Sequence, residues 1–264
     1  GLDLAPASDS GTDDDDITSA TTPTISGTAE AGSTVKLTSD IAGIVVATTT
    51  ADGGGAWSVA TSELDDGDHN LTATATDAAG NEGVASTALT VTIDTTPPVV
   101  TVTSLTTNDE TPALGGSVDD NNATISVTVD GQNVTATNNQ DGTWSLADNT
   151  LTNLGEGTFD VSVTATDVAG NSGNDGTSDE LVIDLTPPAA PSAPDLDDDS
   201  DSNITDDDIT SDDTPTITGT AGVGTTIELF SGTTSLGTDT GGTGTWSITS
   251  SALADGVHVL TATA

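Results

Sequence analysis

The residues with the most evident chemical potential are carboxylates. Asp9, Asp13, Asp14, Asp15 and Asp16 crowd the stretch before the first Thr-Pro-Thr-Ile run. Asp195, Asp197, Asp198, Asp199, Asp201 and Asp206 to Asp208 do the same before the last one. Two carboxylates about 4 Å apart repel by roughly 1 kcal/mol in water and about 4 kcal/mol at an effective dielectric of 20. The chain holds 43 Asp plus Glu against one basic residue, Lys36, so such clusters call for an external cation. Calcium accepts six to eight oxygens from carboxylates, Asn side chains and carbonyls in flexible geometry, whereas magnesium wants a tighter octahedron. Calcium is therefore the expected ion, and zinc is disfavoured in a chain with no Cys and two His. Solvated carboxylates that only confer solubility or salt tolerance are the alternative, and they suffice for isolated residues such as Asp52 and Asp160. Recurrence beside proline junctions favours metal for the clusters. Asp195, Asp197 and Asp199 begin like an EF-hand, but Ser200 stands where that loop needs Gly and Asp206 where it needs Glu.

Catalysis finds less support. His69 and His258 occupy equivalent places after Asp-Gly, where the second unit has Phe159, so the position reads as structural. No Ser-His-Asp arrangement is indicated. A glycosidase pair would need an aromatic-lined cleft, in a chain with two Phe, three Trp and no Tyr. A formal charge of −42 repels nucleic acid and anionic membrane surfaces. No apolar run reaches the roughly 20 residues that span a bilayer. The sequence reads as a non-enzyme, a monomer and an interior piece without a visible signal peptide.

Internal repetition supplies the elements that must position these residues. Thr22-Pro23-Thr24-Ile25-Ser26-Gly27 returns as Thr214-Pro215-Thr216-Ile217-Thr218-Gly219, and more loosely from Thr111 to Gly116. Gly-x-Trp-Ser recurs around Trp57, Trp144 and Trp246. Alternating strands at Leu71–Thr76 and Val161–Thr166 each run into Asp-x-Ala-Gly-Asn, from Asp77 to Asn81 and from Asp167 to Asn171. The third unit stops at Ala264, before that motif, so its last strand is expected to be absent. Ile93-Asp94 and Ile183-Asp184 lead into the pairs Pro97-Pro98 and Pro187-Pro188. Proline cannot continue a central ladder and holds its neighbour extended, which makes these stiff, short junctions.

Short Thr/Val/Ile strands, Asp-Gly turns and the absence of a helical period indicate an all-β chain of tandem immunoglobulin-like β-sandwich domains: residues 1–96, 97–186 and a truncated 187–264. One Trp per unit serves as core anchor, with sugar stacking as the alternative. Asp77, Asn81 and Asp94 are expected to reach the pole that faces Asn108, Asp109, Glu110, Asp119 and Asp120. Asp167, Asn171 and Asp184 should likewise meet Asp195, Asp197, Asp199, Asp201 and Asp207.

The set formed by Asp-Asp-Ile-Thr, Thr-Pro-Thr-Ile-x-Gly-Thr-Ala, Gly-x-Trp-Ser, Leu-x-Asp-Gly, Ala-Thr-Asp-Ala-Ala-Gly-Asn and Ile-Asp-Thr-Thr-Pro-Pro resembles the bacterial Ig-like tandem repeats of giant type I-secreted adhesins. These are the repeats-in-toxin and biofilm-associated groups. The resemblance implies a stalk or extender at the bacterial cell surface, calcium-braced at its junctions and exported unfolded. Adhesive contacts would then lie in other domains. A glycan- or protein-binding module is the alternative function.

Overall fold

The computed structural model describes the chain except for Ala42, Thr205, Asp206, Gly241 and Gly242. Contacts divide it into two compact units, Gly1–Leu185 and Thr186–Ala264. All regular elements among the described residues are strands. Hence no helix there is long and apolar enough to cross a membrane.

The first unit holds two sandwiches. Repeat 1 comprises β1 (Asp3–Leu4), β2 (Ile17–Thr18), β3 (Thr24–Thr28), β4 (Thr34–Ser39), β5 (Val45–Thr50), β6 (Ala56–Ala60), β7 (Gly67–Thr76) and β8 (Leu89–Ile93). Its sheets are ordered β1-β3-β6 and β2-β8-β7-β4-β5. Repeat 2 comprises β9 (Leu105–Thr107), β10 (Leu114–Ser117), β11 (Thr124–Val129), β12 (Gln132–Asn138), β13 (Thr143–Leu146), β14 (Gly157–Phe159), β15 (Val161–Thr166), β16 (Ser172–Asn174) and β17 (Leu181–Ile183). Here β12 pairs with both β11 and β13, which joins six strands in one ladder, while β14-β17-β9 forms the other sheet. The second unit is repeat 3, with β18 (Asp195–Leu196), β19 (Thr216–Thr220), β20 (Ile227–Ser231), β21 (Thr234–Asp239), β22 (Thr245–Thr249) and β23 (Leu260–Thr263), in sheets β18-β19-β22 and β21-β20-β23.

Period-two alternation builds the cores. Val35 and Leu37 of β4, and Ile125, Val127 and Val129 of β11, point inward while the residues between them are less buried. Each repeat has its own apolar cluster, centred on a Trp. Trp57, Trp144 and Trp246 are 6%, 1% and 2% exposed, so these rings serve the core and are not presented for sugar stacking. Each lies directly across the ladder from a glycine: Gly27 from Trp57, Gly116 from Trp144 and Gly219 from Trp246. A Cβ at any of those glycines would fall against the indole. The two recurrent motifs are therefore one packing unit, in which absence of a side chain makes room for the ring.

Candidate metal and junction site

The loop from Ala5 to Asp16 begins with a turn: Ser8 and Asp9 N–H groups donate to the Ala5 carbonyl at 2.7 and 3.1 Å. It ends by joining the sheet, where Thr92 N donates to Asp16 O and Asp94 N to Thr18 O, each at 2.9 Å. Asp14 and Asp16 adopt left-handed backbone conformations, with φ 64° and 60°. Their side chains are thereby presented from a tight coil, a geometry Asp tolerates better than most residues. Asp15 Oδ1 accepts from Ile17 N at 3.0 Å.

Asp9 is partly buried. Its Oδ2 accepts from Asp14 N at 2.7 Å, while Oδ1 is buried and has no hydrogen-bond partner. Partial burial raises the Asp9 carboxyl above the usual Asp range; the Asp14 N–H opposes this, and the charges of Asp15, Asp14 and Asp13 add to it. Burial, followed by the charges of Asp9, Asp3, Asp15 and Asp14, raises Asp16 as well. The single basic side chain, Lys36, is exposed in β4 opposite Thr74 and Thr48 and offers this loop no compensation.

This loop is clasped by the next repeat. Ser10 Oγ donates to Ala169 O at 2.6 Å, Thr12 N to Val168 O at 2.9 Å, and Asn171 Nδ2 to Asp94 O at 2.8 Å. Gly11, at φ 80°, sits so close that a Cβ there would land on the Val168 carbonyl. The clasping turn is self-braced. Asp167 accepts the Asn171 backbone N–H at 2.8 Å on Oδ1 and its side-chain amide at 2.9 Å on Oδ2.

The poles differ from the sequence expectation. In the antiparallel β7–β8 pair, Gly67 faces Ile93 and Leu71 faces Leu89, so Asp94 lies at one end of β7 and Asp77 with Asn81 beyond the other. Asp77 and Asn81 therefore do not share a pole with Asp94. Asp167 and Asn171 meet Asp94 and the Asp9 loop instead, because β15 runs toward repeat 1 and its terminal turn extends to that end. Asp109 and Asp184 gather at the far end of repeat 2, since β9 and β17 are parallel and Asp184 N donates to Thr107 O at 2.9 Å. Asp109 Oδ1 caps Thr111 N at 2.9 Å. Asp119 Oδ1 accepts from Val99 N at 2.7 Å and Asp120 Oδ1 from Asn122 N at 2.8 Å, so both brace their own repeat.

Within repeat 3 the described part of the acidic loop repeats contacts of repeat 1. Asp197 N donates to Thr216 O as Ala5 N does to Thr24 O, Ser211 N to Ser202 Oγ as Ser19 N to Ser10 Oγ, and Ile209 N to Asp207 Oδ1 as Ile17 N to Asp15 Oδ1. Asp195 is a ladder residue opposite Thr218, Asp197 Oδ1 accepts from Asp199 N, and Asp201 corresponds to Asp9. Asp206 lies outside the described residues. Asn203, at φ 72°, replaces Gly11.

Among the described residues, no three Asp, Glu, His or Cys side chains converge as a preformed cage. The donor type fits a hard cation nonetheless, since the buried Asp9 Oδ1 lacks a proton donor and the charges that act on it are the carboxylates of Asp13, Asp14 and Asp15. The histidines are engaged within their own repeats. His69 Nε2 donates to Asp65 O at 2.9 Å and Nδ1 meets Ser39 Oγ at 3.2 Å, and His258 repeats this with Ala254 O and Ser231 Oγ. Sequence reasoning missed Ser10, Gly11, Thr12 and Ala169. The small residues inside two polar motifs were the available signal for close approach.

The bacterial Ig-like domain family matches residues 1–95, 101–185 and 187–264, and its group 3 matches residues 56–139. No match emerges among curated proteins. Similar solved structures include the fibronectin(III)-like modules of Clostridium thermocellum CbhA, at 15% identity over 69% of this chain and 94% of that one, TM-score 0.41. A 1.5-MDa bacterial ice-binding adhesin is 23% identical over 94% of this chain and 85% of that one, TM-score 0.40. A tetra-tandem repeat in the extending region of a large adhesion protein is 26% identical over 97% of this chain and 66% of that one, TM-score 0.31.

Proposed function

This chain belongs to the bacterial Ig-like domain family, and from that premise we propose that it is a non-catalytic extender segment of a bacterial surface adhesin, stiffened by calcium at its repeat junction. The observation that carries the calcium reading is the buried, unpartnered Asp9 Oδ1, inside a loop of like charges that the next repeat clasps. A calcium ion supplies positive charge and oxygen coordination there. The chain's own residues do the rest: Asp9 and its acidic neighbours offer the donors, Ser10 and Thr12 hold the Val168–Ala169 backbone, and Asn171 ties Asp94. Neutralising Asp9 and Asp16 removes repulsion that favours opening of the loop, so stiffness at the junction follows cation occupancy. Buried Trp side chains, histidines engaged on both nitrogens and the charge of −42 support a spacer over a catalyst. Secretion by a type I route and residence on the bacterial surface belong to the same proposal, resting on the motif resemblance.

The test is small-angle scattering combined with calorimetry on the whole chain in chelator, in millimolar calcium and in millimolar magnesium. Calcium-specific binding that sharpens the interdomain scattering, and that weakens at least tenfold in Asp9→Asn, supports the proposal. Scattering that ignores calcium would reduce the acidic loops to solvating charge.

A further inference from the structure

Repeat 2 sets the strand near its start beside the strand at its end. β9 runs parallel to β17, with Leu105 opposite Leu181, Thr106 opposite Val182 and Thr107 opposite Ile183. Leu105 N donates to Glu180 O at 2.7 Å at one end of the pair, and Asp184 N to Thr107 O at 2.9 Å at the other. The chain enters this ladder at Leu105 and leaves it beyond Ile183, so its entry and exit lie at opposite ends of one parallel pair. Tension along the chain therefore draws the two strands past each other and loads their hydrogen bonds together. Loading from one end would open the same bonds one at a time. In repeat 1 the corresponding parallel pair is shorter, with Ile17 opposite Thr92 and Thr18 opposite Ile93.

Glu180 distinguishes the pair in repeat 2. Its backbone carbonyl holds β9 through Leu105 N, while its side chain reaches β15 in the other sheet, where Oε2 accepts from Val161 N at 3.0 Å. That amide follows Asp160, at which the strand that is continuous in repeat 1 as β7 divides into β14 and β15. Glu180 is 4% exposed, and its Oε1 is buried with no hydrogen-bond partner, in a repeat that holds no Lys, Arg or His. Burying a carboxylate with one oxygen unsatisfied costs stability, so stability alone does not account for it. The matching residue of repeat 1, Thr90, is exposed and bonds Asn70 Oδ1 at 2.7 Å.

We propose that the β9–β17 pair is a shear clamp that makes repeat 2 a tension-bearing element, and that Glu180 is the positioning residue that passes the load from β17 into β15. Leu181 and Ile183, at 0% and 1% exposed, keep water from the inner side of the pair, so its bonds do not exchange readily with solvent while they are strained. The clamp has a use only in a chain under tension, and to that extent it rests on the extender reading. Nothing in its geometry depends on calcium.

The chain has no Cys, so paired cysteines give unique handles for single-molecule pulling of the whole chain. Ser104→Cys with Leu185→Cys loads the pair from opposite ends, and Asn108→Cys with Leu185→Cys loads it from one end; all three positions are exposed. In chelator the first pair of handles is expected to unfold repeat 2 at about twice the force of the second, because forced unfolding reports the barrier crossed and not the equilibrium stability. Glu180→Ala should lower the force in the first geometry and leave the second unchanged, while Glu180→Gln, which keeps an oxygen for Val161 N, should preserve both. Equal forces in the two geometries overturn the clamp, and an equal loss in both on Glu180→Ala overturns the role of Glu180. Since calcium is absent throughout, failure here leaves the calcium-stiffened junction standing, and a junction that ignores calcium leaves the clamp standing.

Discussion

Ser10 Oγ donates a hydrogen bond to the Ala169 carbonyl at 2.6 Å, joining residues 159 positions apart in different sandwiches. That hydroxyl also lies 3.2 Å from Thr18 Oγ1 and 3.0 Å from Ser19 Oγ, and accepts from Ser19 N at 2.8 Å. The acidic loop of repeat 1 and the turn of repeat 2 are therefore held by one hydroxyl network. Ala169 is fully buried by this arrangement, whereas its counterpart Ala79, in an equally braced turn, is exposed.

Gly11→Ala tests the clasp. A methyl group there meets the Val168 carbonyl and also occupies a left-handed backbone, a strain of order 1 kcal/mol or more. The expected outcome is loss of exchange protection at Thr12 and altered relative tumbling of repeats 1 and 2 by NMR relaxation, with both cores intact. Unchanged tumbling would show that the clasp does not set the junction.

Asn171→Ala removes the donor to Asp94 O and one donor to Asp167. The cost expected is about 1 kcal/mol per hydrogen bond, up to about 3 kcal/mol where the abandoned acceptor stays buried. Urea unfolding of the whole chain, read for repeat 2, measures it. Asn81→Ala serves as the control, because Asn81 bonds only within its own turn among the hydrogen bonds described for it.

Asp9 and Asp16 are raised while Asp77 is lowered, first by the Asn81 side-chain amide and then by the Asn81 backbone N–H. A raised carboxyl favours the protonated form in the folded state, so ionised Asp9 and Asp16 destabilise the loop at neutral pH. That penalty is relieved as pH falls through their folded-state values. Asp77 contributes the opposite way: its stabilisation is present above the unfolded Asp value and is lost as pH falls through its depressed folded value. Carboxyl-carbon NMR in chelator should therefore show Asp9 protonating at higher pH than Asp77. Added calcium should shift the Asp9 midpoint downward, and calcium affinity should fall on acidification.

Gly219→Ala places a methyl group against the indole of Trp246, which is 2% exposed. Overpacking of this kind costs roughly 1–3 kcal/mol. Trp246→Ala, which instead empties the core of repeat 3, should cost about 3–5 kcal/mol. Denaturant titration resolves the two, and the first two repeats should keep their own transitions in both variants.

Much of the architecture was legible in the sequence because it follows from short-range rules. Alternating Val-x-Leu and Ile-x-Val-x-Val determined strands with one inward face. The three copies of the Thr-Pro entry run and of Gly-x-Trp-Ser determined how often that sandwich is built, and the excess of Asp over Lys36 gave the expectation that the acidic loops take a cation. Tertiary structure decided what those patterns meet. Gly27 and Trp57 read as separate motifs until the β3–β6 register set them face to face. Asp77 and Asp94 read as neighbours until the antiparallel β7–β8 pair carried them to opposite ends. Ser10 found Ala169 only when two folded sandwiches met. Strand periodicity is encoded residue by residue, whereas register, strand direction and the end of the domain at which a loop emerges depend on pairings between residues far apart in the chain, which no local run of residues specifies.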